Sequence, residues 1–147
     1  MDAETIGKGV RMAYHFVGST PSDVTLVCGF VRGQMEQIKE HCCLDDDVLM
    51  DLRLILSELM INGCEHGNAN DREKRVTLEL IVDEECIDIR VKDEGKGIAY
   101  NVRSAQTPHL SCGGRGLRIV RALTDSMQIC NNEVHCTMHS HHGINAG

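Results

Sequence analysis

The apolar residues of this chain change their spacing near residue 70, and this change restricts the fold more than any other feature. Between residues 46 and 64 they recur every three or four positions, as on one face of an α-helix. Between residues 76 and 91 they alternate with polar residues in two runs, separated by Asp83-Glu84-Glu85, as on strands with one buried face. A helix followed by an antiparallel hairpin can bury its apolar stripe against one face of a sheet.

The remaining segments extend this pattern on both sides. The predicted strands are residues 11–17, 76–82, 87–91, 126–130 and 134–138, with turns at 18–22 and at Asn131-Asn132. The predicted helices begin at Ser22 or Asp23, at about Asp46, and at Gly116, and the third follows a loop from Tyr100 to Cys112. The order β-α-α-β-β-loop-α-β-β indicates an α+β fold, a two-layer α/β sandwich in which helices cover one face of a mixed, mostly antiparallel sheet.

Length and charge restrict the organisation of the chain and its partners. With 147 residues, 41% of them hydrophobic, we expect a single domain over 1–147, with a core over 10–140 and a tail over 141–147. The net charge of -7 disfavours direct binding of nucleic acid, which depends on clustered lysine and arginine. No apolar run reaches the roughly 20 residues of a membrane span, and the acidic start is unlike a signal peptide. We expect a cytoplasmic protein.

The eight cysteines lie within apolar-periodic segments and form no C-x-x-C pair, so we expect reduced, buried thiols rather than disulfides. A histidine-rich end, with Cys136, His139, His141 and His142, offers metal ligands, but its spacing fits no standard zinc site. We therefore expect no metal there.

Three motifs carry the chemistry. Glu58 and Asn62 lie one helical turn apart at the edge of the apolar stripe, and the asparagine oxygen suits Mg²⁺. Asp93, at a strand end before Gly95 and Gly97, can accept a hydrogen bond from the amino group of adenine, where guanine has a carbonyl. The glycines at 113, 114 and 116 precede a helix whose free N–H groups can hold phosphate oxygens. Each motif alone is weak, but the three in this order predict a nucleotide site.

These residues resemble the ATP-binding fold shared by gyrase, Hsp90 and histidine kinases. In detail they are similar to the small anti-sigma-factor serine-protein kinases of bacteria. The stretch 56–67 resembles the N-box of that group, 93–98 its first glycine box, and 114–117 its second. The resemblance extends from Arg11 to about Ser140.

The resemblance implies ATP and Mg²⁺ as cofactors, with Asn62 as the principal metal ligand and Glu58 as the general base. It implies that nucleotide is also held by His66, Asp93, Gly95, Gly97, Ile98, Gly113, Gly114, Arg115, Gly116 and Leu117. His66 can equally be a structural histidine, and Arg115 can equally face solvent. The implied activity is phosphorylation of a small anti-sigma-factor antagonist, the implied second partner is a sigma factor, and the implied assembly is a homodimer.

Two other functions stay open on the sequence. The first is a non-enzymatic, ATP-dependent protein-interaction module, because the loop between the glycine motifs carries Gln106-Thr107-Pro108-His109 rather than a basic stretch. The second is a detached catalytic domain of the histidine-kinase type, which Glu58 disfavours. In either case we expect residues 99–112 to form a lid that becomes ordered when nucleotide binds.

Overall fold

The computed structural model describes residues 12–95 and 111–141. The described strands are β1 (Met12–Pro21), β2 (Arg75–Asp83), β3 (Cys86–Lys92), β4 (Ser126–Cys130) and β5 (Glu133–His139). The described helices are α1 (Val24–His41), α2 (Asp46–Asn62) and α3 (Ser111–Leu123), and a π-helical segment over Gly63–Gly67, here called the π turn, continues α2. The predicted order of elements is confirmed for the described part of the chain.

The described strands form one antiparallel sheet in the order β1-β2-β3-β5-β4. Along β2, every second residue from Val76 to Val82 is buried, and the residues between them are half-buried. The register continues this division, since Leu80 pairs with Ile89 and Ile89 pairs with Cys136. One face of the sheet is therefore apolar, as the alternation in the sequence predicts.

The helices cover that apolar face. Asp23 caps α1, because its side chain accepts a hydrogen bond from the backbone N–H of Leu26 at 3.2 Å. The apolar stripe of α2 is fully buried at Leu52, Ile55 and Leu56. Helices on one face of an antiparallel sheet confirm the predicted α+β fold class and its two layers.

The first strand is longer than predicted. We expected a turn over residues 18–22, but β1 continues to Pro21, which pairs with Arg75. The side chain of Arg75 donates to the hydroxyl of Ser19 at 2.7 Å and to the carbonyl of Ser19 at 3.0 Å. These bonds hold the turn-forming sequence extended, and the proline is tolerated because it ends a strand at the sheet edge.

The third helix begins earlier than predicted. We expected it at Gly116, after a loop that ended at Cys112, but it begins at Ser111 and therefore includes Gly113 and Gly114. Two glycines lower helix propensity, so a prediction from sequence alone places the start after them. Val120 of α3 is fully buried and Leu117 packs against the core, so tertiary packing holds the part of the helix that the sequence predicted. The rest of the predicted lid, residues 99–110, lies outside the described residues.

The expectation of buried cysteines was wrong for half of the chain's thiols. The cysteines whose side chains are described are all free, but only Cys42, Cys64 and Cys136 are buried, whereas Cys28, Cys43, Cys86 and Cys130 are exposed. The exposed thiols lie on the solvent sides of α1, β3 and β4 or after α1, where periodicity alone does not separate a small apolar residue from a polar one.

Within residues 12–95 and 111–141, no helix combines the length and hydrophobicity that crossing a bilayer requires.

Candidate functional site

The C-terminal end of α2 forms the middle of the candidate site. Glu58 and Asn62 are half-buried on the last turn of the helix. The chain then widens into the π turn, where the N–H of Asn68 donates to the carbonyl of Gly63 at 2.8 Å. Short π-helical segments are uncommon and occur often at functional sites. The sequence predicted a helix end here, but it did not predict the wider turn.

Gly116 brings α3 against Glu58 and Asn62. A Cβ atom added at Gly116 would lie 2.7 Å from Oε1 of Glu58 and 3.3 Å from Nδ2 of Asn62. Side chains do not approach a real Cβ atom as closely as the first of these distances, so any other residue at position 116 would displace the end of the Glu58 side chain. The structure therefore places the second glycine motif beside the carboxylate and the amide that the sequence selected.

Asp93 packs against the same helix end at Gly63 and Gly67. A Cβ atom added at Gly67 would lie 2.1 Å from Oδ2 of Asp93, and one added at Gly63 would lie 3.6 Å from its Cβ. A Cβ atom added at Gly95 would lie 1.8 Å from the carbonyl oxygen of Gly67. The backbone of the π turn therefore packs directly against the first glycine motif, and Gly67 and Gly95 permit this approach.

The Asp93 carboxylate lies in a dry environment. Its residue is 8% exposed, and its Oδ1 accepts a hydrogen bond from the N–H of Gly95 at 2.8 Å. Burial raises the pKa of Asp93, and the Gly95 hydrogen bond and the charge of Lys74 oppose this shift. A desolvated carboxylate at a strand end can discriminate strongly between a ligand that offers a donor and one that offers an acceptor.

Polar residues outside the three motifs surround Asp93. The buried side chain of Asn68 accepts a hydrogen bond from the N–H of Glu94 at 2.7 Å and donates to the hydroxyl of Ser22 at 2.8 Å. The side chain of Asn132, in the turn between β4 and β5, donates to the carbonyl of Asp93 at 2.6 Å. Sequence reasoning missed Ser22, Asn68 and Asn132 as parts of the site, because each is also a common cap or turn residue.

The other predicted site residues lie in several places. His66 is exposed on the π turn, and Leu117 is half-buried on α3. Gly113 and Gly114 lie in the first turn of α3 rather than before it. The first four N–H groups of an α-helix have no acceptor within the helix, so both glycines belong to the part that can receive an anion. Arg115 is on α3, whereas Gly97 and Ile98 lie outside the described residues.

These residues fit a nucleotide with a divalent cation. The beginning of α3 supplies backbone donors, and Gly116 leaves no side chain between that backbone and Asn62. Asn62 offers the neutral oxygen that Mg²⁺ accepts beside phosphate oxygens and water. Asp93 lies against the π turn, next to Gly63 and Gly67, and provides a buried acceptor. The arrangement offers two separate sets of polar groups, one at the start of α3 with Asn62 and one at Asp93.

Two side chains of the histidine-rich end lie on different faces of β5. Cys136 faces the core, whereas His139 is exposed on the other side of β5 and forms a 2.5 Å hydrogen bond through Nδ1 with Asp125. His135 bonds Asp88, and His15 bonds Glu79 at 3.0 Å. No group of three or more His, Cys, Asp or Glu side chains suited to a metal occurs in the described segments. Alternation along the strand separates Cys136 from His139.

Known proteins match this chain over most of its described length. Residues 20–139 match the sequence profile of the histidine kinase-like ATPase domain. The chain is 28% identical over 88 residues to the anti-sigma F factor of Oceanobacillus iheyensis, which covers 56% of this chain and 60% of that protein. It is 29% identical over 91 residues to the anti-sigma F factor of Bacillus cytotoxicus, covering 58% and 62%. The chain therefore spans about three fifths of the length of these relatives.

Proposed function

This chain belongs to the histidine kinase-like ATPase domain family, and we propose that it is an ATP-binding regulatory serine/threonine-protein kinase of the anti-sigma-factor type. The observation that carries the proposal is the meeting of Glu58, Asn62 and Gly116 at the end of α2. A proton acceptor, a metal ligand and a glycine-lined helix start at one place are the parts that phosphoryl transfer requires.

The nucleotide part of the proposal uses both sides of the helix end. Asp93 would accept a hydrogen bond from the exocyclic amino group of adenine, and its burial makes an unpaired contact costly for guanine. The N–H groups at the start of α3, including those of Gly113 and Gly114, would receive phosphate oxygens. His66 is exposed on the π turn. In that position it can contact the nucleotide or face solvent.

Asn62 would hold Mg²⁺. When bound, the metal neutralises charge on the phosphate oxygens and so favours transfer of the terminal phosphoryl group. Asn62 is half-buried next to Gly116, so its amide can contact an ion at the edge of the site while the helix keeps its direction fixed. No carboxylate ligand is needed beside Asn62, because Mg²⁺ commonly takes few protein ligands.

Glu58 would act as the general base toward a serine hydroxyl of a protein substrate. Its carboxylate lies one turn before Asn62 and is half-buried, so a hydroxyl from outside can approach it. The proton of that hydroxyl would pass to the carboxylate as the serine oxygen becomes a nucleophile. Positioning beside the metal ligand is the reason for assigning this role to Glu58 and not to the exposed Glu65.

The names of the relatives support the choice of partners. They are anti-sigma F factors, so a sigma factor is the proposed binding partner. A small antagonist protein is the proposed substrate because the motifs resemble those of the anti-sigma-factor kinases. A homodimer belongs to the same proposal.

The experiment is phosphotransfer from labelled ATP, with Mg²⁺, to antagonist proteins encoded near this chain's gene. Glu58→Gln should keep ATP affinity within a few-fold and slow transfer by about 10²-fold or more, as loss of a general base does. Asn62→Ala should instead weaken Mg²⁺-ATP binding and transfer together. Wild type that binds ATP and a sigma factor but transfers no phosphate would replace the kinase by an interaction module. Normal transfer by Glu58→Gln would remove Glu58 from the chemistry.

A further inference from the structure

The backbone at Asp93 is held from the side of the β4–β5 turn by one residue. The N–H of Asp93 donates to the carbonyl of Asn132 at 3.0 Å, and the carbonyl of Asp93 accepts from Nδ2 of Asn132 at 2.6 Å. The first bond continues the sheet ladder beyond Lys92, where β3 ends, and the second comes from the side chain. Both polar groups of the Asp93 backbone are therefore fixed by Asn132.

The next residue is held from the opposite side by Asn68. Oδ1 of Asn68 accepts from the N–H of Glu94 at 2.7 Å, and its Nδ2 donates to Ser22 Oγ at 2.8 Å and to the carbonyl of Arg75 at 3.0 Å. Asn68 is 1% exposed, and its amide group is fully engaged. It therefore has little freedom to move and connects the Asp93-Glu94 peptide to the beginnings of α1 and β2.

Glu94 adds a third connection to the same corner. Its Oε2 accepts a hydrogen bond from the backbone N–H of Arg75 at 2.7 Å, at the start of β2. The direction of the chain after β3 is thus set by residues from two separate turns. Neither Asn68 nor Asn132 belongs to the three motifs that the sequence selected.

We propose that Asn68 and Asn132 are positioning residues that fix the direction of the Asp93 carboxylate and thereby set the preference for an adenine ring. The inference depends on the proposed nucleotide site. A hydrogen bond weakens steeply as it departs from linearity, so selection between two bases depends on how firmly the acceptor is aimed. Gly67 and the Gly95 N–H restrict the carboxylate itself, and the two asparagines restrict the backbone that carries it.

Asn132→Ala is the primary variant, because it removes one bond and leaves the rest. The main-chain carbonyl of residue 132 can still accept from the N–H of Asp93, and residue 132 is only half-buried, so the turn is expected to form. Asn131→Gly is the matched control in the same turn. Asn131 has φ of 55°, a conformation that glycine adopts without strain, and this change leaves the amide of Asn132 in place. Asn68→Ala tests the other side.

The measurement is calorimetric affinity of the full chain for Mg²⁺-ATP and for Mg²⁺-ITP, whose ring carries a carbonyl where adenine has its amino group. In wild type, ATP should bind more tightly than ITP. In Asn132→Ala, and in Asn68→Ala if it folds, the ATP preference should fall about three- to tenfold, the range that one net hydrogen bond represents. Affinity for ITP should change less than about twofold, because ITP lacks the amino group whose hydrogen bond to Asp93 the two asparagines align.

The outcomes separate the inference from the proposed function. An unchanged ATP preference in Asn132→Ala, or an equal loss of ATP and ITP affinity, overturns the positioning role. The same result from Asn131→Gly as from Asn132→Ala also overturns it, because the turn and not the amide would then be responsible. A wild type with no preference for ATP overturns the base pocket itself. A misfolded Asn68→Ala leaves the decision to Asn132→Ala.

Discussion

Gly116→Ala tests the contact on which the candidate site depends. Replacing glycine by alanine inside a helix is intrinsically favourable by about 1 kcal/mol. At Gly116 this gain is opposed, because the new Cβ would lie 2.7 Å from Oε1 of Glu58 and 3.3 Å from Nδ2 of Asn62. Overpacking of a core costs about 1–3 kcal/mol, and the lower part of that range applies here because Oε1 is the far end of a flexible side chain that can shift. We therefore expect Gly116→Ala to leave stability unchanged or lower it by up to about 1 kcal/mol.

Gly33→Ala on α1 provides the matched control. Gly33 is exposed in the helix, and a Cβ atom built there meets no atom within 4 Å. Only the propensity gain applies, so this variant should be stabilised by about 1 kcal/mol, a rise of about 2–4 °C in Tm. Urea denaturation of wild type and both variants gives the difference between the two sites, which we expect to be about 1–2 kcal/mol in favour of Gly33→Ala.

The functional consequence of Gly116→Ala should exceed its effect on stability. The end of the Glu58 side chain is the group that must move, and a displacement of about 1 Å can reduce a rate by about 10²-fold. Phosphotransfer should therefore fall by about that factor in protein that is fully folded. If Gly116→Ala is stabilised as much as Gly33→Ala and transfers phosphate at the wild-type rate, Gly116 does not contact Glu58 and the site is built differently.

Two further predictions concern titration and thiol reactivity. Burial raises the pKa of Asp93 above its ordinary 3.8, so its contribution to stability is more favourable at acid pH and is lost as pH rises through the raised value. The Asp93→Asn variant should lack this pH dependence of stability. In urea denaturation, the stability of the variant relative to wild type should therefore increase over that pH range, and a constant difference would contradict the raised pKa. Site-resolved alkylation should modify Cys28, Cys43 and Cys130 quickly and the buried Cys42, Cys64 and Cys136 only after unfolding. Cys86 should react more slowly than the other exposed thiols, because desolvation and nearby carboxylates raise its pKa; reaction at the rate of Cys28 would contradict this.

The sequence predicted the elements whose apolar periodicity is strong. The strands β2, β3 and β5 and the helix of the central motif have buried residues at regular spacing, β4 alternates between half-buried and exposed residues, and the structure confirms these elements. The predicted end of β1 was wrong because residues 18–22 have the composition of a turn. In the structure Arg75, which is distant in sequence, holds Ser19 in an extended conformation. The predicted start of α3 was wrong because Gly113 and Gly114 have low helix propensity, whereas the helix that packs Gly116 against α2 begins at Ser111.

The candidate site was predictable in its motifs but not in its supports. Glu58 and Asn62 follow from one helical turn, and Asp93 from the end of an alternating strand. Asn68 and Asn132 act through hydrogen bonds to a residue at least 25 positions away in sequence. No periodicity distinguishes such an asparagine from one that only forms a turn. The π turn could not be predicted from the sequence either, because its hydrogen bonds span only one residue more than those of α2.

The end of α2 explains why glycines recur on both sides of the candidate site. Gly67 and Gly95 bring the π turn against the first glycine motif, and Gly116 brings α3 against the last turn of α2. At Gly67 and Gly95 an added Cβ would lie closer to its neighbour than packing allows, so space selects glycine there, whereas at Gly116 it would displace the end of the Glu58 side chain. Gly67 lies against the carboxylate of Asp93, whereas Gly116 lies against Glu58 and Asn62. Because both contacts lie at one helix end, a shift of that end would move the neighbours of Asp93 and of Gly116 together.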